Sequence, residues 1–223
     1  MCYTEELIRN ICVDIPNFIS GKRLAHTYAV EQECAALAAI FSAHPRLFSQ
    51  EDTFRLRIAA LLHDITKEKT KEEQLALCEA YRIPLSDYER ISPKVLHAKT
   101  APYAATAYFN ERYAQNVVDD GIRDAIYTHT TGAARMSLIG KLLYLADYIE
   151  PTRTFEDCIA LRGRFYDALP SVREDASALL AHLDSVLLLS FDMTIEDLVK
   201  NGACIDPNTV AARNAILFER RHE

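Results

Sequence analysis

Long apolar runs are missing from this chain: no uninterrupted hydrophobic stretch approaches the ~20 residues that a bilayer-spanning helix needs. Its first residues, Met1 to Glu6, hold no basic region followed by an apolar core, so no secretory leader is expected. Glycine is scarce, six in 223 residues, and no Gly-, Ser- or Pro-rich stretch marks a linker between domains. Basic runs stop at two residues and the net charge is −7, which argues against broad binding of nucleic acid or anionic membranes. Paired cysteines are absent as well. Cys2, Cys12, Cys34, Cys78, Cys158 and Cys204 form no CxxC, so they read as small reduced core residues rather than disulfides or zinc thiolates. These exclusions leave a soluble, cytoplasmic protein without nucleic-acid or membrane partners as the expectation.

What is present favours helix. Hydrophobic residues make up 49% of the chain, and Ala, Leu, Glu and Arg dominate, which predicts an all-α protein with one large domain over residues 1–223. Apolar residues at helical spacing predict helices over 4–13, 24–43, 51–63 and 75–81, a short one within 84–92, and others over 93–108, 122–127 and 137–148. Helices over 155–168, from Ser171 through Leu189, and over 208–218 are expected to complete the bundle as C-terminal helices. Thr70-Lys71-Glu72-Glu73 and Ser171-Val172-Arg173-Glu174 read as capping boxes, and Asp206-Pro207 as a helix start. Arg55 and Arg57 are expected on the exposed face of their helix. His44, before Pro45, reads as a surface helix end, His182 as a core or interface residue, and His222 has no evident role.

The chemistry begins at Ala59-Ala60-Leu61-Leu62-His63-Asp64, an apolar helix that ends in an adjacent imidazole and carboxylate. Such a pair suits zinc, iron, nickel or manganese, and a carboxylate can bridge two ions. Standing alone it would be a buried helix end with a capping His. It does not stand alone. His26 lies on the second helix, His97 near the start of the helix at 93, His129 at the end of the 122–127 helix, and Asp147 within the apolar run Leu138 to Tyr148. An unpartnered Asp147 there would cost several kcal/mol or protonate. Successive separations of 37, 34, 32 and 18 residues match antiparallel helix pairs, so all six residues can converge on one interior point. Arg23 shares the face of His26, and Lys67 lies one turn beyond Asp64, where it is either a surface lysine or a contact for a metal-bound anion.

This H…HD…H…H…D order resembles the HD-domain phosphohydrolases, metal-dependent all-helical enzymes. His129-Thr130-Thr131-Gly132 and Ala146-Asp147-Tyr148-Ile149-Glu150-Pro151-Thr152-Arg153 narrow the likeness to the YqeK family of bacterial HD proteins, symmetrical diadenosine tetraphosphate hydrolases. Lys22-Arg23-Leu24-Ala25-His26 and Thr209-Val210-Ala211-Ala212-Arg213-Asn214 also resemble that family, whereas Thr66 departs from it, a smaller residue commonly preceding the lysine. The resemblance implies an HD helical bundle around two divalent ions, iron by family. His26, His63, Asp64 and Asp147 would hold one ion, and Asp64 would bridge to a second held by His97 and His129. Asp64 and Lys67 would be catalytic, Arg23, Thr130, Arg153 and Arg213 would bind phosphate, and a dinucleoside polyphosphate would be cleaved to two ADP. Rival readings are another HD-type nucleotide phosphohydrolase, a cyclic-dinucleotide phosphodiesterase, a nucleotide-sensing module, or a helical scaffold; a homodimer is left open.

Overall fold

Side chains that cap helices set most of the element boundaries. The computed structural model describes residues 3–221, within which eleven α-helices follow one another: α1 (Glu5–Asp14), α2 (Gly21–Phe41), α3 (Gln50–Leu62), α4 (Lys71–Ala80), α5 (Asp87–Ile91), α6 (Pro93–Arg112), α7 (Asp120–Thr128), α8 (Leu138–Ile149), α9 (Glu156–Val172), α10 (Ala176–Lys200) and α11 (Pro207–Glu219). Ser49, Thr70 and Ser86 each accept from the backbone three residues on, while Asp52, Glu73 and Glu89 answer to the cap's own N–H. Asp119, Ser137, Asp175 and Asp206 cap α7, α8, α10 and α11. No strand occurs among the described residues.

Helix α3 is central. Ile58, Ala59, Ala60, Leu61 and Leu62 are all fully buried, as an unbroken apolar run requires when a helix is covered on every side. It packs against α2, α7 and α8; α6 lies on α7, and α4 on α6. Replacing Leu61 by Ala would cost about 2–5 kcal/mol. From the C-terminal helices, Leu161, Phe165, Leu187, Phe191, Ala212 and Ile216 join the same apolar cluster as α3 and α8.

Several boundaries differ from expectation. Helix α6 continues four residues past Tyr108. Ser171 is not a cap: its hydroxyl donates to the Ala168 carbonyl at 2.6 Å, and α9 passes through Pro170, which removes one N–H near the helix end without stopping it. The cap of the next helix is Asp175, which accepts from Ala178 N at 2.8 Å, and α10 runs to Lys200 rather than Leu189. By length and composition α10 is apolar enough to cross a membrane, and a third of its most apolar 18-residue stretch is buried within the protein. Its Asp184 and Asp192 break the apolar run and pair with Lys141 and Arg213.

Arg55 and Arg57 are partly buried, not simply solvated: Arg57 bridges Glu5 and Glu31, each at 2.6 Å, and Arg55 reaches Asp119 at 2.7 Å. His44 donates to the Arg173 carbonyl at 2.9 Å, and His182 to that of Phe165, on whose ring it stacks. Cys12, Cys34, Cys78, Cys158 and Cys204 are free thiols; Cys204 is exposed in the connection before α11, where no core covers it. Cys2 and His222 lie outside the described residues.

Candidate metal centre

Two helix ends deliver imidazoles by the same local device. His63 follows the last residue of α3 and His129 the last residue of α7, and each turns its Nδ1 onto the carbonyl three residues back, Ala60 and Ile126, at 2.6 Å. A donor at Nδ1 leaves the lone pair on Nε2, aimed away from its own helix. His26 comes from the second turn of α2, with Nδ1 at 3.0 Å from Glu150 Oε1. His97 comes from the second turn of α6, and Asp147 from the last turn of α8.

Asp64 stands between them. Its Oδ1 lies 3.2 Å from His97 Nε2 and 3.8 Å from His129 Nε2, while Oδ2 lies 3.4 Å from His63 Nε2, 4.0 Å from His26 Nε2 and 2.6 Å from Arg23 Nη1. Asp147 Oδ1 is 2.9 Å from His26 Nε2, and the Nε2 atoms of His97 and His129 are 3.1 Å apart. The structure thus brings together His26, His63, Asp64, His97, His129 and Asp147. Three overlapping triplets, His26/His63/Asp64, His63/His129/Asp147 and Asp64/His97/His129, each place their ligand-type atoms within 4.8 Å of one another.

This donor set fits a cation. His26 Nε2, His63 Nε2 and Asp64 Oδ1 are buried without a hydrogen bond of good geometry, the 2.9 Å approach of Asp147 Oδ1 to His26 Nε2 included, and each group left unsatisfied costs about 1–3 kcal/mol. A divalent ion answers all three, and mixed imidazole and carboxylate ligation suits zinc, iron, nickel or manganese better than calcium. Burial alone would raise the Asp64 carboxyl, but the imidazoles of His63, His129 and His97 outweigh it and hold Asp64 well below the usual carboxylate range. Burial holds His129 low, and His97 well below the ordinary value with the Lys67 ammonium beside it, so both rings are neutral, as ligation requires.

Exposure grades across the cluster. The side chains of His63, Asp64, His97 and His129 are at most 3% exposed, whereas Asp147 is 20%, Arg153 29% and Arg23 32% exposed. The site therefore opens on the side of the two arginines. Arg153 donates to Asp147 Oδ1 at 2.6 Å and to its carbonyl at 2.7 Å. Lys67 is partly buried with Nζ at 3.0 and 3.2 Å from the His97 ring nitrogens, and burial lowers its pKa. The Thr130 hydroxyl is 3.1 Å from His97 Nε2 and 3.0 Å from His129 Nε2. Arg213 is not brought to the cluster by any ion pair among the described residues; its guanidinium is committed to Asp192 of α10.

A family model of the HD domain matches residues 23–152, which carry all six cluster residues. The chain belongs to the HD-domain family. Among its relatives, one from Bacillus subtilis named symmetrical bis(5'-nucleosyl)-tetraphosphatase is 31% identical, over 88% of this chain and 90% of the relative. A protein of the same name from Halalkalibacterium halodurans is 29% identical, over 91% of this chain and 93% of its own length. The crystal structure of a predicted HD superfamily hydrolase involved in NAD metabolism, from Clostridium acetobutylicum, superposes with a TM-score of 0.76 at 30% identity, covering 95% of this chain and 97% of that one.

Around this HD centre stand two residues to which the sequence reading gave no role at the site. Thr66, the departure from the family pattern, is buried with its hydroxyl 3.2 Å from the His97 carbonyl and 2.8 Å from Thr100 Oγ1, and Thr100 in turn reaches Gln74. This chain of hydroxyls ties the His63-Asp64 turn to the helix carrying His97. Glu150 is the other. It sits three residues after Asp147, a spacing that placed it at the same helix end, and its side chain turns inward.

Proposed function

We propose that this HD-domain protein is a metal-dependent hydrolase that cleaves diadenosine tetraphosphate symmetrically to two ADP, and that the whole chain, α9 to α11 included, forms one domain. The observation that carries the reading is the buried acceptor set centred on Asp64, opening beside Arg23 and Arg153; two relatives named symmetrical bis(5'-nucleosyl)-tetraphosphatase, similar over most of their length, suggest the substrate. His26, His63, Asp64 and Asp147 would hold one divalent ion and Asp64, His97 and His129 a second, with iron as the metal. When bound, a pair of ions lowers the pKa of a shared water toward neutrality and neutralises phosphoryl charge.

The chain's own residues do the rest. Arg23 and Arg153, at the open side, take up the negative charge of the polyphosphate and orient it for in-line displacement. Lys67 carries a charge that burial disfavours, so an anionic phosphoryl group beside it offsets that cost. The Thr130 hydroxyl, next to His97 and His129, donates a hydrogen bond to a phosphoryl oxygen. The closed inner face of His63, His97 and His129 excludes bulk water, which strengthens each of these interactions.

Chromatographic analysis of products from diadenosine tetraphosphate, with protein purified anaerobically and loaded with iron, tests the assignment. ADP as the sole product is expected. A mixture of ATP and AMP contradicts symmetrical cleavage, and tight binding without turnover would make the protein a nucleotide sensor instead.

A further inference from the structure

Of the four clustered histidines, His63 and His129 are oriented by carbonyls of their own helices, and His97 stands against Lys67. His26 alone is oriented by a carboxylate, that of Glu150, 124 residues further along the chain. Glu150 is 1% exposed. Its Oε1 accepts from His26 Nδ1 at 3.0 Å and from Thr152 Oγ1 at 2.7 Å, and Oε2 accepts from the Thr152 backbone N–H at 2.6 Å. A residue that merely ends a helix has no need of a buried carboxylate, whose desolvation is costly.

The turn that presents Glu150 is held from α9. Arg162 donates to the carbonyls of Ile149 at 2.5 Å, Glu150 at 2.6 Å and Arg153 at 2.9 Å, placing a cation on the C-terminal end of α8. On the same turn Arg153 reaches back to Asp147. One four-residue segment thus touches both His26 and Asp147.

We infer that Glu150 is a positioning residue for the ion that His26, His63, Asp64 and Asp147 would hold: it fixes the Nδ1–H tautomer and ring plane of His26, so that Nε2 points between Asp64 and Asp147. This inference rests on the proposed metal centre. A carboxylate on the far nitrogen also raises the basicity of the ligating one, and loss of such a partner weakens metal affinity about 10–100-fold in other sites.

Competition of Mn²⁺ between the full-length protein and a fluorescent chelator tests it. Glu150→Ala should weaken one of two Mn²⁺ sites by about 10–100-fold, while Glu150→Gln, whose amide oxygen still accepts from Nδ1–H, recovers most of that loss. Thr152→Val, which removes only a donor to Glu150, should give a smaller loss. Once His26 is changed to Ala, adding Glu150→Ala should have no further effect on affinity, because Glu150 acts through that ring. Should Glu150→Ala fold poorly, the Gln and Val variants carry the comparison. Wild-type Mn²⁺ affinity in Glu150→Ala, or in Thr152→Val where Glu150→Ala does not fold, with only the melting temperature lowered, overturns the inference and leaves the centre standing. Wild-type protein that binds no Mn²⁺ overturns both.

Discussion

The Nε2 atoms of His97 and His129 face each other at 3.1 Å. His129 donates from Nδ1 to the Ile126 carbonyl, so its Nε2 bears a lone pair. Burial keeps both rings neutral, and Asp64 Oδ1 lies 3.2 and 3.8 Å from them. The Thr130 hydroxyl lies 3.1 and 3.0 Å from these two nitrogens and can donate to only one of them. A cation held as proposed would reconcile them, and removing the carboxylate should therefore remove both the cation and the chemistry. Asp64→Ala is expected to lower turnover by more than about a hundredfold, beyond what loss of an outer partner costs, with loss of bound metal in elemental analysis. Retained turnover would place the active site elsewhere.

The loop after His129 depends on a glycine. Gly132 has φ +69°, and a Cβ there would lie 2.8 Å from the Phe191 ring and 2.9 Å from Ala212 Cβ. Gly132→Ala should destabilise by about 2–4 kcal/mol, combining backbone strain with overpacking. Gly202 has φ +63° with nothing within 4 Å of its Cβ position, so Gly202→Ala should cost only about 1 kcal/mol. Urea unfolding of the two variants measures the difference; equal costs would show that the Phe191 contact gives way freely.

Thr66 predicts a smaller effect with a clear control. Thr66→Val keeps the shape but leaves the His97 carbonyl and Thr100 without that hydroxyl, at about 1–2 kcal/mol, whereas Thr66→Ser should stay within about 0.5 kcal/mol. Denaturation midpoints decide, and a neutral Val variant would mean that the hydroxyl chain contributes nothing.

Asp119 gives a pH dependence whose sign is fixed. Burial would raise its carboxyl, but Arg55, the Ile122 N–H and the Tyr3 hydroxyl hold it below its ordinary value. A carboxyl lowered in the folded state contributes stability that is fully present above its unfolded pKa of about 3.9 and is lost as the pH falls through the folded value. Asp119→Asn keeps a capping side chain and removes the charge. The stability gap between wild type and variant should be steady near neutrality, about 1–2 kcal/mol, and shrink below about pH 4. A gap that widens in acid would contradict the assignment.

How much of this was legible in the sequence varies with how local the cause is. The juxtaposition of His63 with Asp64, and the caps at Thr70 and Asp206, follow from neighbours in the chain. The meeting of His26, His97, His129 and Asp147 was legible because each stands at a helix position that repeats with the length of a helix pair. Asp175 displaced Ser171 as a cap because Pro170 did not end α9, a balance of one lost hydrogen bond against packing that no motif shows. Arg213 pairs with Asp192, and Arg162 with the end of α8, through contacts between helices that carry no local signal. Glu150 was quoted within a motif, yet its inward turn is decided by His26, far away in sequence.

The most direct measurement is the metal-to-protein ratio of anaerobically purified wild-type chain, read beside that of Asp64→Ala. The account predicts two ions per wild-type chain and none retained at the centre of the variant. A wild-type chain that binds no divalent metal at any loading would contradict it.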